Sequence, residues 1–442
     1  MTKDSLNSQL RDYVKSNLSP SNGEQVFATS VYAALKLALG VNCILIGSYA
    51  RFTASKPLHD IDVLYINGKF DPENLDPGSI LSKLESQLSN NFENPTSYQI
   101  KFAKQSHSIT ISFMNGGEEK FSVDIVPAFT SGYSNDYGDD IYWVPEIIQV
   151  SKKKRSLRYD ELSRVYGSEN EWWLKSDPKG YIKDATDLNK TNSDFRKAVK
   201  FVKRWRHNCK EADQGFKLKS FHIEQAIYRI FMEDKTITAA DAIFEFFFRL
   251  PNLISRPQIP DRADQNKFID DYIAHLSQIE RDAIIYSRDA FLIGLEDIGQ
   301  ISVSDLLKSR RYKRVSKTEE YLFDQHIPTF TDNSLSLNIT ARVLPRQGGF
   351  REIVLDKNGQ IEVDRRINFS ITDNTGNLIL YKWKVKNDDN SPEPRGEITD
   401  HHTRNMPEHT KFNGMHFVEC YAIKNGICIA KARQYVVLKR YL

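Results

Sequence analysis

Two aspartates one residue apart constrain this chain more than any other feature. They lie in residues 44–66, ILIGSYARFTASKPLHDIDVLYI. A short apolar run ends in Gly47-Ser48, a spacer follows, and Asp60-Ile61-Asp62 opens a second apolar run. The pattern predicts strand, small-residue turn, loop, strand. Side chains at i and i+2 of a strand share a face. Asp60 and Asp62 therefore point the same way, while Ile61 and Val63 point into a core. Two carboxylates on one face repel each other unless a cation lies between them. Hard oxygen ligands at this spacing suit Mg²⁺, which usually takes one or two carboxylates plus substrate phosphates. Gly47 is expected to let a phosphate approach the backbone closely, and Ser48 adds a hydroxyl donor.

A third carboxylate follows in residues 120–127, KFSVDIVP, where Asp124 sits in an apolar strand. The preceding run, residues 108–114, ends at Asn115-Gly116-Gly117, a hairpin signal. Asp124 is thus expected on the second strand of a hairpin, beside the first two aspartates. Gly-Ser, a spacer of this length and Asp-x-Asp between hydrophobic residues resemble the signature of the DNA polymerase β-type nucleotidyltransferases. The resemblance implies that Asp60, Asp62 and Asp124 are catalytic and hold two Mg²⁺ ions, for which Mn²⁺ can substitute.

At 442 residues the chain is too long for one typical core, and two to three domains are expected. A 40% hydrophobic and 27% charged composition is that of a soluble globular protein. The net charge of +3 is enough for a local nucleotide or RNA surface but excludes a histone-like binder. No run of eighteen apolar residues suggests a membrane span, and the start MTKDSLNSQL lacks a signal-peptide core. Cys43, Cys209, Cys420 and Cys428 follow no metal-site spacing. They read as small buried residues of a reduced, cytoplasmic protein.

Residues 5–18 and 23–39 read as helices, the second capped by Ser21 or Asn22 and ended by Gly40. A helix is expected around 80–88. Residues 130–142, rich in Ser, Gly, Asn, Asp and Tyr, read as a loop bordering the nucleotide pocket. The basic run 152–155 reads as solvated loop charge. Trp172 and Trp173 read as core or domain-junction residues. Asp177-Pro178-Lys179-Gly180 reads as a turn.

Residues 194–208, DFRKAVKFVKRWRHN, are helical, with Phe195, Val199, Val202 and Trp205 on one stripe. Lys203 followed by Arg204-Trp205 resembles the lysine-x-tryptophan helix of the oligoadenylate synthetases and bacterial cyclic-oligonucleotide synthases. Residues 217–224, KLKSFHIE, resemble the Lys-Ser-[Tyr/Phe]-His-[Leu/Ile]-Glu segment of the same group. These matches imply that Lys203, Lys200 one turn earlier and Ser220 join Gly47 and Ser48 in binding the nucleotide. As an alternative, Lys200 and Lys203 are the wet face of an amphipathic helix. Ser220 is expected to cap the next helix, with His222 and Glu224 fixing its entry rather than acting in catalysis. Further helices are expected at 239–250, ended by Leu250-Pro251, and at 267–285 and 290–298. The run 308–314, KSRRYKR, reads as an exposed linker face.

Beyond residue 328 the texture changes to short β-branched runs, at 335–344, 368–372, 378–385, 416–423 and 428–438. Turn signals separate them at 347–349, 358–359, 374–376 and 425–426. This predicts an antiparallel β-sandwich. Residues 411–430 with Trp383-Lys384-Val385 resemble the C-terminal AGS-C-type sensor domain fused to many bacterial cyclic-oligonucleotide synthases. His401, His402 and His409 read as surface-loop histidines.

The chain is thereby identified as a member of the bacterial cGAS/DncV-like nucleotidyltransferases. The resemblance implies an α+β fold. A polymerase β-like catalytic core (1–170) is followed by a helical, oligoadenylate-synthetase-like lobe (171–320) and an all-β sandwich-like domain (330–442). It further implies a cytoplasmic enzyme that joins ATP, GTP or both into a cyclic di- or trinucleotide for anti-phage defence and reaches a downstream effector through that product. No membrane partner is expected and nucleic-acid binding is not favoured. A linear oligoadenylate synthetase or RNA-tailing enzyme is the alternative, and a binding-only protein a third reading, against which the three intact aspartates count.

Overall fold

The structure, a computed structural model, describes residues 2–147, 171–297, 301–346, 351–356, 358–377, 379–399 and 402–439. The basic run 152–155, the turn 347–349, Ile298 and His401 lie outside the described residues. The chain divides into two compact units. Its helices are α1 (Lys3–Tyr13), α2 (Asn22–Leu39), α3 (Gly47–Ala50), α4 (Pro77–Asn91), α5 (Pro178–Thr191), α6 (Asp194–Ala212), α7 (Ser220–Glu233), α8 (Ala239–Leu253) and α9 (Gln278–Glu296).

The first unit, residues 11–246 and 251–281, is built on a seven-stranded sheet. Its strands are β1 (Cys43–Ile46), β2 (Asp60–Lys69), β3 (Gln99–Lys104), β4 (Ile109–Asn115), β5 (Glu118–Ser134), β6 (Asp140–Ile147) and β7 (Glu171–Ser176). The order is β1-β2-β5-β4-β3, with β6 on β5 and β7 on β6. The pairing β2–β5 is parallel; its neighbours β1–β2 and β4–β5 are antiparallel. Alternation in the sequence sets the register. Ile61, Val63, Ile111, Val123 and Ile125 face a core shared with Val31 and Leu35 of α2 and with Leu81, Leu84 and Leu88 of α4. The other parity of β2 is left to carry Asp60 and Asp62. Helix α2 opens on a capping box between Ser21 and Glu24. The Glu24 carboxylate also accepts from Leu58 N at 2.7 Å, which ties the helix to the approach to β2.

Helix α6 buries Phe195, Val199, Val202 and Trp205 on the expected stripe. Several other expectations need correction. The stretch 130–142 is mostly strand: β5 runs to Ser134, β6 starts at Asp140, and only 135–139 turn. Its small polar residues occupy a hairpin end, where Asn135 accepts from Tyr137 N and Asp139 N. Asp177-Pro178-Lys179-Gly180 starts α5, with Asp177 accepting from Gly180 N at 2.7 Å and Pro178 in the first turn. Residues 267–285 are not one helix. Asp270 turns inward to accept from Gln258 N and Ile259 N, only a 3₁₀ turn follows (Asp271–His275), and α9 begins at Gln278. The signal for that start is Ser277-x-x-Glu280, where Ser277 Oγ accepts from Glu280 N and Glu280 accepts from Ser277 N.

Helix α8 does not stop at Leu250 but continues through Pro251 to Leu253. Pro251 has no N–H to give the carbonyl of Phe247. Within the second unit, Arg288 Nε donates to that oxygen at 2.9 Å.

The second unit comprises 1–10, 247–250 and 282–442. Its strands are β8 (Leu337–Val343), β9 (Ile353–Leu355), β10 (Asn358–Glu362), β11 (Arg366–Asp373), β12 (Leu380–Lys386), β13 (Ile398–Thr399), β14 (Asn405–His409), β15 (Gly414–Lys424) and β16 (Ile427–Lys439). They form two sheets, β10-β16-β15-β12-β13 and β14-β11-β8-β9. One departure from the expected antiparallel sandwich is β10, which pairs with β16 in parallel. Ala341, Phe369, Trp383, Val418 and Val436 belong to the core of this sandwich. The hairpin β15–β16 turns at Asn425-Gly426, both at positive φ. His409 lies in β14 rather than in a loop. Arg314 of the basic run 308–314 pairs with Asp289 and Asp324 at 2.9 and 2.7 Å, so this residue is structural rather than free linker charge.

Candidate active site

The parallel register of β2 and β5 sets Asp62 directly opposite Asp124, and Asp60 lies two residues before Asp62 on the same face. The antiparallel register of β1 places Ile46 beside Asp62. Gly47 follows at once, with φ +68. A Cβ at Gly47 would meet Asp62 Oδ2 at 1.8 Å. The bare Cα therefore makes room for the Asp62 carboxylate. Thr110 of β4 donates to Asp124 Oδ1 at 2.5 Å and orients it from the far side.

Three acidic groups thus crowd one face. Burial first, then Asp60 and Asp124, push the Asp62 carboxyl up to about 7, while Arg51 and Lys203 pull it back. Burial and Asp124 likewise raise the Asp60 carboxyl. Among the described residues no three His, Cys, Asp or Glu side chains already stand grouped to hold a metal ion. The donor set nonetheless suits a hard divalent cation whose shell is completed by substrate oxygens and water, not by a closed protein cage.

Beside the aspartates is a cavity of about 200 Å³, lined by Ser48, Thr53, Asp60, Lys203 and Ser220 among others. Seven of the residues expected from the sequence thus meet or adjoin: Ser48, Asp60, Lys203 and Ser220 in the cavity wall, Gly47 against Asp62, and Asp124 opposite Asp62. Lys200 does not line this cavity; its ammonium donates to Ser19 Oγ at 3.2 Å. Burial and then Arg196 and Lys203 lower the Lys200 pKa to about 8. Ser220 is the first residue of α7 and not its cap; Lys219 occupies that position, with no side-chain cap bond. His222 helps hold the helix entry, because it shares a hydrogen bond with Tyr272 Oη, which accepts from Lys219 N.

Glu224 does something the sequence does not suggest. It is fully buried and accepts from Arg51 Nε at 2.5 Å, Lys203 Nζ at 2.5 Å and Thr53 Oγ1 at 2.8 Å. Burial would raise its pKa, but Lys203 and Arg51 outweigh burial and hold it at about 2. The partner tells a different story: burial lowers the Lys203 pKa despite Glu224. The convergence of three donors on one carboxylate supports the ion-paired state. Sequence reasoning misses Arg51 and Thr53, although Arg51 stands one helical turn after Gly47 and its position was the available signal.

Residues 130–142 line a different cavity. It is about 620 Å³, includes Tyr133, Asn135, Trp143, Trp173 and Arg262, and contains none of the three aspartates. Arg262 is fixed there by Asp139, Asp177 and Asp184. No described helix is long and apolar enough to cross a membrane.

Residues 316–439 match the family model of the adenylyl/guanylyl and SMODS C-terminal sensor domain. The cyclic AMP-AMP-AMP synthase of Escherichia coli (strain MS 115-1) is 30% identical over 185 residues, covering 42% of this chain. The match spans 48% of that relative, about half its length. Among solved structures, E. coli MS115-1 CdnC with ATP aligns with a TM-score of 0.50 at 19% identity, over 70% of this chain and 99% of that one. The Elizabethkingia meningoseptica CdnE cyclic dinucleotide synthase with GTP and Apcpp gives 0.40 at 15% identity, over 63% and 94%. The likeness to CdnC is one of fold. Residues 316–439 therefore carry the adenylyl/guanylyl and SMODS C-terminal sensor domain, and the chain, with its aspartates on neighbouring parallel strands, shares the fold of the CdnC structure.

Proposed function

We propose that this chain is a Mg²⁺-dependent nucleotidyltransferase. It joins purine nucleoside triphosphates, ATP, GTP or both, into a cyclic di- or trinucleotide and releases pyrophosphate. The product is a second messenger of anti-phage defence that acts on a downstream effector, and the reaction belongs in the cytoplasm. The observation that carries this reading is the placement of Asp60, Asp62 and Asp124 on one face, beside a cavity walled by Ser48, Lys203 and Ser220. The name of the E. coli relative supports the cyclic product.

Asp60, Asp62 and Asp124 would hold two Mg²⁺ ions, which when bound neutralise charge developing on the attacking and leaving oxygens of an in-line displacement. The chain's own groups do the positioning. Lys203 supplies a cation at the cavity wall for the β- and γ-phosphates, and the hydroxyls of Ser48 and Ser220 supply directional donors. Thr110 holds Asp124 in place from β4. A ribose hydroxyl of one nucleotide attacks the α-phosphate of another, its proton leaves to solvent, and pyrophosphate departs. No side chain need form a covalent bond.

The test is incubation with Mg²⁺ and each NTP singly and in pairs, then phosphatase treatment and mass spectrometry. Phosphatase-resistant cyclic product from the wild type and none from Asp62→Asn is the expected result. Linear, phosphatase-sensitive products would replace this reading with an oligoadenylate-synthetase or RNA-tailing enzyme.

A further inference from the structure

Glu224 is buried beneath the candidate site, yet no step above uses it. Both of its cationic partners also act on the Asp62 carboxyl, which Arg51 and Lys203 pull down against its burial. Arg51 N donates to Gly47 O at 3.2 Å, and the Asp62 carboxylate lies against Gly47. Lys203 and Asp60 line the same cavity. Two cations therefore face two sets of carboxylates, Glu224 on one side and Asp60 with Asp62 on the other. Thr53 braces the first arrangement: it donates to Glu224 and accepts from Lys203 Nζ at 3.1 Å. A buried cation deprived of its counter-ion takes the nearest substitute, because an unpaired charge in the interior is strongly disfavoured. Here the substitutes are Asp62 and Asp60. An ammonium or guanidinium on those oxygens would occupy the positions a metal ion needs.

We propose that Glu224 is a positioning residue that keeps Arg51 and Lys203 off Asp60 and Asp62, so that these carboxylates stay open to a divalent metal. The proposal rests on reading the aspartates as metal ligands. Glu224 contributes through its charge, not its shape. Its removal shuts the metal site by letting the site's own cations fill it.

The test is direct Mn²⁺ binding by electron paramagnetic resonance titration of the full chain, without nucleotide and so without turnover, with folding monitored by circular dichroism. Glu224→Gln keeps the shape and loses the charge; it is expected to weaken Mn²⁺ binding about tenfold or more. Glu224→Asp keeps the charge and is expected to stay within about threefold of wild type. The triple variant Glu224→Gln/Arg51→Met/Lys203→Met removes both competing cations with their counter-ion and is expected to regain most of the affinity. Folded Glu224→Gln protein that binds Mn²⁺ like wild type overturns the proposal. So does a triple variant that binds about tenfold more weakly than wild type, which remains decisive if the single variant does not fold. Wild-type protein that takes up no Mn²⁺ overturns the metal-site reading itself, and the proposal with it, an outcome distinct from wild-type binding without differences among the variants.

Discussion

Gly47→Ala is the sharpest perturbation the site offers, because one methyl group reports on two separable effects. The first is backbone strain. At φ +68 an L-residue is in the left-handed region, at a cost of about 1–2 kcal/mol. The second is a collision: the new carbon would lie 1.8 Å from Asp62 Oδ2, 2.6 Å from its Cγ and 2.9 Å from its Cβ. The carboxylate has to retreat by more than about 1 Å, and a misplacement on that scale costs about a hundredfold in rate. Asp62 has little freedom to absorb the shift, because its neighbours Ile61 and Val63 are fully buried and β2 is paired on both sides. The expected result is a modest fall in thermal stability with a loss of pyrophosphate release of about a hundredfold or more. Gly116→Ala isolates the strain. Gly116, at the tip of the β4–β5 hairpin, has φ +59, and its added methyl would meet nothing within 4 Å. It should lose similar stability and keep its activity. Gly47→Ala protein that releases pyrophosphate within about threefold of wild type would refute the reasoning, as would an equal loss in Gly116→Ala.

Other expectations concern stability. Glu224 is held at about 2, below its ordinary 4.5, so the unfolded chain takes up its proton first. Its stabilising effect is complete above pH 4.5 and lost as pH falls through 2, a change of about 3 kcal/mol. Urea midpoints across that window should fall more steeply for wild type than for Glu224→Gln. Arg262→Met strands Asp139, Asp177 and Asp184 around a vanished charge, and should cost about 3 kcal/mol in denaturant unfolding. Trp383→Ala empties the sandwich core and removes the bond from Nε1 to Thr403 O, an expected loss of about 3–5 kcal/mol by the same measurement.

The parts of the fold visible in the sequence are those governed by short-range rules. Alternation around Asp60 and Asp62, the Asn115-Gly116-Gly117 turn and the Phe195-to-Trp205 stripe all depend on neighbours a few residues away. The departures have a common cause. Polar turn-forming residues at 130–142 and 177–180 suggest loop, but they sit at a hairpin end and a helix cap, where the same hydrogen-bonding groups serve regular structure. At 267–285 the apolar pattern conceals Asp270, whose turn inward depends on backbone N–H groups of residues 258 and 259. The roles of Arg51, Thr53 and Glu224 are illegible for a different reason. Nothing local pairs residues 51 and 224; their contact exists only once the sheet and α7 are both in place.

That separation has a consequence for the order of events during synthesis. The strands bearing Asp60, Asp62 and Asp124 are complete when residue 134 has been made, whereas Glu224 follows Arg51 by 173 positions. At translation rates of about 5–20 residues per second the gap lasts several seconds. Throughout it, Arg51 stands beside Asp62 with its counter-ion still unmade. If Glu224 is what keeps the cations away, the nascent site is held shut by its own arginine, and the arrival of α7 opens it. A chain stalled on the ribosome before residue 220 is then expected to bind Mn²⁺ more weakly than the released protein, so that metal loading is deferred until the helices have folded onto the sheet.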